Sequence, residues 1–193
     1  MKLDIIIAGV GGQGILSIAA SIGTTALNNN LHLKQSEVHG MSQRGGDVQS
    51  HLRISDKPIQ SDLIPLGQAD IIISIEPMES LRYLPYLSAE GWIVTNTIPF
   101  INVKNYPDID VVLKEIKSHK HNITINAEEI ATEIGSPRSA NMVILGAATP
   151  FLQMSYEELE KGIKQIFGRK GEAVVETNIK ALKAGWEFTK KNM

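Results

Sequence analysis

The chain is predicted to be an α/β protein: a doubly wound, mostly parallel sheet with a helical C-terminal segment. Three observations carry the prediction. A β-branched run, Asp4-Ile5-Ile6-Ile7-Ala8, leads into a glycine cluster and then an alanine-rich stretch. Strand-like and helix-like segments alternate from there to residue 136, the rhythm of a Rossmann-like sheet wound on both faces. After Pro137 the strand signal stops and only helical spacing remains.

The elements follow in order. Residues 4–8 form a short apolar run closed by glycines, as in a strand buried on both faces. Residues 15–27 are long enough for a helix, which Asn28-Asn29-Asn30 stops because asparagine favours caps and turns. Residues 31–36 read as the second strand, and the crossover through the helix makes it parallel to the first. Residues 47–55 alternate Val48, Ser50, Leu52 and Ile54 against polar neighbours, the pattern of a half-exposed strand. A strand over 70–76 ends at Pro77, a helical start over 77–87 runs into a loop, and 91–96 is a further strand. Residues 111–119 predict a helix, 122–126 a strand and 127–134 a helix stopped by Gly135 and Pro137. The C-terminal segment holds three helices, over 138–151, 156–167 and 172–190. In the first, Met142-Val143-Ile144-Leu145 is apolar nearly all round and reads as core or as subunit interface. The expected organisation is one domain over 1–193, with a sheet core over 1–136 and a helical part over 137–193.

Composition narrows the function. At 193 residues with 42% hydrophobic positions, the chain can bury one substantial core. Its 19 Lys+Arg against 21 Asp+Glu leave a net charge of −2, which argues against nucleic acid as a partner. The absence of cysteine excludes disulfides, a cysteine nucleophile, thiolate zinc and a Cys-ligated iron–sulfur cluster on this chain. No constellation reads as a metal site. Apolar runs fall far short of the roughly 20 residues of a membrane span, and no signal peptide precedes the first strand. A cytoplasmic location is expected. From Lys161 onward 8 basic residues face 3 acidic ones, which reads as a solvated helix face or a patch for an acidic partner.

Two segments carry chemistry. Gly9-Val10-Gly11-Gly12-Gln13-Gly14 fits G-x-G-x-x-G between a strand and a helix. There Gly9 would permit the tight turn, Gly11 close approach of a phosphate, and Gly14 packing of helix on sheet, with the helix N-terminus offering free N–H groups. The same glycines also fit a turn kept only for close packing. Glu37, 28 positions after Gly9, lies near the place of the acidic residue that holds a ribose in dinucleotide sites, though somewhat late. It also opens the second segment, Ser36-Glu37-Val38-His39-Gly40-Met41-Ser42-Gln43-Arg44-Gly45-Gly46. This loop is expected after the second strand, on the same edge as the glycine turn. Arg44 has the fork that recognises carboxylate or phosphate, and His39 titrates near neutral pH. A structural histidine and a simple Glu37–Arg44 ion pair account for the same residues without function.

Together these segments resemble the gamma-type subunit or domain of 2-oxoacid:ferredoxin oxidoreductases, and within that family the small (beta) subunit of the indolepyruvate branch. The resemblance continues at Ser50-His51-Leu52-Arg53 and from Pro137-Arg138 through Asn141 to Gly146, so it covers most of the chain. It implies a part in oxidative decarboxylation of a 2-oxoacid, in this branch an arylpyruvate converted to arylacetyl-CoA with reduction of ferredoxin. Pyruvate, 2-oxoisovalerate and 2-oxoglutarate enzymes share the scaffold. The chain also lacks the Gly-Asp-Gly segment with following asparagines that thiamine enzymes use; its only Gly-Asp pair, Gly46-Asp47, is followed by Val48. The resemblance therefore implies an accessory subunit in a hetero-oligomer. A large partner would carry thiamine diphosphate, magnesium and the iron–sulfur clusters, with CoA as co-substrate and ferredoxin reached through the complex. The candidate active-site loop is Glu37, His39, Ser42, Gln43 and Arg44. Gly9, Gly11, Gly12, Gln13 and Gly14 form the turn that would contact phosphate or CoA. Two further readings remain: a stand-alone dinucleotide-binding oxidoreductase, and a nucleotide-sensing or assembly module.

Overall fold

A computed structural model describes residues 1–39 and 46–193, the side chain of His39 excepted. β1 (Lys2–Val10) is followed by α1 (Ile15–Asn28), β2 (His32–His39) and β3 (Asp47–Ser55). Then come β4 (Ala69–Ser74), α2 (Pro77–Arg82), β5 (Leu87–Asn96), α3 (Ile109–Ser118) and β6 (Asn122–Ile125). The chain ends in four helices: α4 (Ala127–Glu133), α5 (Ala140–Ala148), α6 (Tyr156–Phe167) and α7 (Glu172–Asn192). Among the described residues no helix is long and apolar enough to cross a membrane.

The helix ends follow local chemistry. Asn126 and Asp108 cap α4 and α3 by accepting from Glu129 N–H at 3.1 Å and Asp110 N–H at 2.8 Å. Ser155 and Glu158 form a reciprocal capping box at the start of α6, at 3.2 and 2.7 Å. The asparagine run stops α1 as expected, with Asn30 in the left-handed region at φ 57°. The helix expected over 138–151 is shorter: it starts only after Ser139, whose hydroxyl pairs with that of Ser136 at 2.7 Å, and Pro150 sits in a closing 3-10 turn, Thr149–Phe151.

The strands form one sheet in the order β2-β3-β1-β4-β5-β6. β1–β4, β4–β5 and β5–β6 pair in parallel, whereas β3 is antiparallel to both β1 and β2. β2 thus shares the direction of β1, as the crossover requires, but does not pair with it. β3 lies between them, an insertion the local pattern did not foresee. The expected alternation of this strand holds, with Val48, Ser50, Leu52 and Ile54 buried and Gln49, Arg53 and Ser55 partly exposed, save at His51. Val48, Leu52 and Ile54 face the main core, and on the other face His51 is buried under Tyr86, with ring centroids 5.2 Å apart.

Alternation assigns the two faces of the central strands. Ile5, Ile7, Ile71 and Ile73 join the large core with α1, α5, α6 and α7, while Ile6, Ala8 and Ile72 form a smaller cluster with Tyr83. α5 is buried from Met142 to Ala148, so its apolar run is core within this chain. It crosses α7 backbone to backbone: a Cβ on Gly146 would lie 2.0 Å from the Leu182 carbonyl oxygen, and one on Gly185 1.9 Å from that of Val143. The order places a switch point between β1 and β4, where the chain departs to opposite sides. In open α/β sheets ligands bind there, at the carboxyl edge.

Candidate functional site

The glycine turn leaves β1 at that edge. Gly12 and Gly14 adopt φ values of 100° and 85°, which explains glycine at both positions. Gln13 ties the turn to the strand: its N–H donates to the Val10 carbonyl at 3.1 Å, and its Oε1 accepts from Val10 N–H at 2.7 Å. Gly9 lies inside β1, where a Cβ would stand 2.9 Å from Gln13 Oε1 and 3.0 Å from Ile15 Cδ1. Its part is the close approach of the folded-back turn, not the turn itself. Gly14 meets Asn141 of α5, which donates to its carbonyl at 3.2 Å; a Cβ there would lie 2.5 Å from Asn141 Nδ2. So Gly14 admits a side chain from α5, where helix-on-sheet packing was expected. Gly11 N–H donates to the Gly46 carbonyl at 2.8 Å. The N–H groups of Val10, Gly11 and Gln13 are therefore engaged within the protein, unlike the open cradle of a dinucleotide fingerprint.

The Gly11–Gly46 bond joins the two segments singled out in the sequence. β2 extends through His39, so Ser36, Glu37, Val38 and His39 are strand residues; the loop begins later than expected. Glu37 pairs with Ser50 across β3. Gln35 Nε2 donates to Glu37 Oε2 at 3.2 Å and to Ser50 Oγ at 3.1 Å. Ser42, Gln43 and Arg44, together with the His39 side chain, lie outside the described residues. With β3 inserted, Glu37 stands a further strand spacing, about 4.8 Å, from β1. A ribose-holding carboxylate sits on the strand next to the glycine turn, so this placement disfavours the dinucleotide geometry.

A group of residues that the sequence did not mark lines a cavity of about 160 Å³ at the switch point, beside Val10. It holds Asp47, Glu76, Glu79, Arg82 and Tyr106. Arg82 forks onto Glu79 at 2.7 and 3.2 Å. Tyr83 Oη donates to the Asp47 carboxylate, 2.9 Å from each oxygen. Burial pushes the Glu79 carboxyl up from its ordinary range against the pull of Arg82, and nearby Asp47 adds to the rise. Burial, then the bond to Asp47, raises the Tyr83 phenol; burial, then Glu76, does the same to Tyr106. Glu76, only 1% exposed, caps α2 by accepting from Glu79 N–H at 2.9 Å, and also accepts from Phe100 N–H at 3.3 Å and from Tyr106 Oη. Among the described lining residues three carboxylates face one guanidinium, so this cavity repels phosphates and carboxylates. Glu76-Pro77 at a strand end was a readable capping signal; nothing local linked it to Tyr106 thirty residues on.

No three His, Cys, Asp or Glu among the described residues converge as metal ligands. The basic C-terminal helices are largely occupied with their own chain. Lys164 pairs with Glu160, Lys183 with Glu187 at 3.9 Å, Lys180 donates to the Ile134 carbonyl at 2.8 Å, and Lys190 lies 4.0 Å over the Trp186 ring.

Comparison with known proteins agrees with this architecture. Residues 4–188 match the pyruvate ferredoxin/flavodoxin oxidoreductase family. Indolepyruvate oxidoreductase subunit IorB of Archaeoglobus fulgidus is 36% identical over 195 residues, covering 96% of this chain and 94% of the relative. Pyruvate oxidoreductase subunit PORC of Thermotoga maritima superposes with a TM-score of 0.72 at 22% identity, over 96% of both chains. The 2-oxoglutarate:ferredoxin oxidoreductase of Magnetococcus marinus, solved with 2-oxoglutarate, coenzyme A and succinyl-CoA, has a TM-score of 0.79 at 24% identity. This chain matches over 98% of its length but spans only 31% of that longer chain. The family match across the glycine turn, both sheet halves and the C-terminal helices assigns the chain to the pyruvate ferredoxin/flavodoxin oxidoreductase family.

Proposed function

We propose that this chain is the accessory, gamma-type subunit of a 2-oxoacid:ferredoxin oxidoreductase of the indolepyruvate branch, acting in the cytoplasm as one domain over 1–193. The observation that carries the reading is its similarity, 36% identical over nearly the full length of both chains, to the Archaeoglobus fulgidus subunit IorB. The cysteine-free composition supports a division of labour. The chain's residues fit neither a Cys-ligated cluster nor a thiamine diphosphate–magnesium site, so those groups belong to a larger partner that oxidises the 2-oxoacid, forms the acyl-CoA and passes electrons to ferredoxin.

The chain's own contribution is at the carboxyl edge. Arg44 anchors an anion, either the substrate carboxylate or a CoA phosphate, while Glu37, His39, Ser42 and Gln43 orient it through hydrogen bonds. The glycine turn, Gly9 to Gly14, shapes the wall beside them. The Gly11–Gly46 bond supports this joint site, and the carboxylates of the cavity beside Val10 support an anion path directed away from that cavity.

The test is anaerobic co-expression with the large subunit and assay of viologen or ferredoxin reduction with CoA, comparing indolepyruvate with pyruvate. Activity should need both chains and favour indolepyruvate. Arg44→Ala should lower kcat/KM by about 10–100-fold with assembly intact, the range for one charge-assisted hydrogen bond. Full activity of the large subunit alone, or binding of NAD(P) by the isolated chain, would overturn the proposal.

A further inference from the structure

We infer that the connection between β5 and α3 is the docking surface for the catalytic subunit, an inference that rests on the accessory-subunit reading. Four large apolar side chains stand out within six residues: Ile98, Phe100, Ile101 and Val103, exposed by 40, 43, 69 and 48%. Such a concentration on the surface of a folded chain marks an interaction site. Leu16 at the start of α1 and Val38 near the end of β2 are each 51% exposed and lie at the same carboxyl edge.

The exposure is built into the packing. Asn96, fully buried, donates from Nδ2 to the Ile98 carbonyl at 3.2 Å. The buried Glu76 carboxylate accepts from Phe100 N–H and Tyr106 Oη, both in this connection. A carboxylate out of water has to keep its donors. The connection therefore cannot fold inward to hide its apolar side chains without stranding Glu76. Holding the segment in place before contact removes the ordering cost that a flexible loop would add to association.

Charge selects the occupant. Among the described residues, the cavity behind Phe100 and Val103 sets Asp47, Glu76 and Glu79 against Arg82 alone. A second copy of this chain would bring two such cavities face to face, and like charges across an interface oppose pairing. The surface fits a partner patch that is apolar with a basic side chain at its centre. The catalytic subunit is the partner that suits this edge, because a body covering it also covers the glycine turn and Gly46, to which the turn is bonded. In the longer Magnetococcus marinus chain, a unit of this fold is 31% of one polypeptide with a larger remainder.

The test uses the full-length chain and its catalytic subunit, with assembly followed by size-exclusion chromatography and affinity by biolayer interferometry. Ile101→Asp should weaken binding by about 30-fold or more, the effect of losing one interface hot spot. Its thermal midpoint should match the wild type. Leu66→Asp, at a residue 66% exposed between β3 and β4, should bind as the wild type does. Binding of Ile101→Asp within threefold of wild type would overturn the inference while leaving the subunit reading in place. So would self-association of the isolated chain that Ile101→Asp abolishes. A wild-type chain that never binds the catalytic subunit would instead sink the subunit reading itself.

Discussion

Replacing Gly185 with alanine should destabilise the fold by about 3 kcal/mol, and the structure shows why. α5 and α7 approach so closely that the new Cβ would fall 1.9 Å from the Val143 carbonyl oxygen and 2.8 Å from Ala147 N. Neither is a flexible side chain, so α7 has to retreat by about 1 Å. A gap of that size forfeits a quarter to a half of each dispersion contact along the seam, and overpacking of this kind costs about 1–3 kcal/mol, more when backbone is struck. The buried bond from Thr189 Oγ1 to the Ala147 carbonyl, 2.9 Å, goes with it, at about 1 kcal/mol. Against this, alanine is the better helix former by about 1 kcal/mol. For a chain of this size the net loss corresponds to a Tm lower by about 6–12 °C. Urea unfolding followed by far-UV circular dichroism measures it. Gly168→Ala is the control: nothing lies within 4 Å of its Cβ and its φ is −54°, so stability should hold or rise slightly. If Gly185→Ala stays within about 0.5 kcal/mol of wild type, the close crossing is not what fixes glycine there.

Two further stability predictions concern the opposite edge of the sheet. Arg53 forks onto the buried Asp4 at 2.7 and 3.1 Å and donates to the Ser61 and Leu63 carbonyls at 3.1 and 3.0 Å. Arg53→Lys keeps the charge but loses the fork, so it should cost about 2–3 kcal/mol and speed amide exchange across residues 58–64; unchanged exchange there would contradict the assignment. His51 Nδ1 accepts from Ile64 N–H at 3.1 Å, which requires the neutral ring, and burial followed by the charge of Arg53 lowers its pKa from 6.5, against a smaller upward pull from Asp62. The unfolded chain then binds a proton that the native state refuses. This stability is present above about pH 6.5 and declines below it by up to about 1.4 kcal/mol per pH unit. His51→Gln should flatten that limb in pH-dependent unfolding, and an equally steep limb in the variant would assign it elsewhere.

What was legible in the sequence was local. The Ile5–Ile7 run, the glycine turn and the asparagine stop at Asn28–Asn30 each depend on residues within a few positions of one another. The apolar surround of Met142–Leu145 likewise marked a helix covered on all sides, by core or by a subunit interface, and the structure shows it as core. Hidden were arrangements settled by distant partners. β3 carried a recognisable alternation, yet its insertion between β1 and β2 is decided by pairings such as Ile5 with Leu52, which no neighbouring residue reports. The glycines that follow at 40, 45 and 46 made Glu37–His39 look like loop, whereas the ladder to β3 extends them as strand. In the candidate site the glycine turn and its edge were foreseen. The Glu76–Tyr106 and Asp47–Tyr83 contacts were not, because each joins elements far apart along the chain.

The inserted strand also has a consequence for how the polypeptide emerges during synthesis. β1 is made first, but its two sheet neighbours are completed only at Ser55 and Ser74. Until β3 is made its isoleucines can pair with no native partner, because β2, the first strand to follow, is not a neighbour of β1. A nascent chain shorter than about 55 residues therefore carries an apolar ribbon open on both sides, and one shorter than about 74 residues a ribbon open on one, the form of strand most prone to recruit another chain. Slow translation across residues 11–55 prolongs that interval, and with it the exposure of β1 to other chains before the fold can protect it.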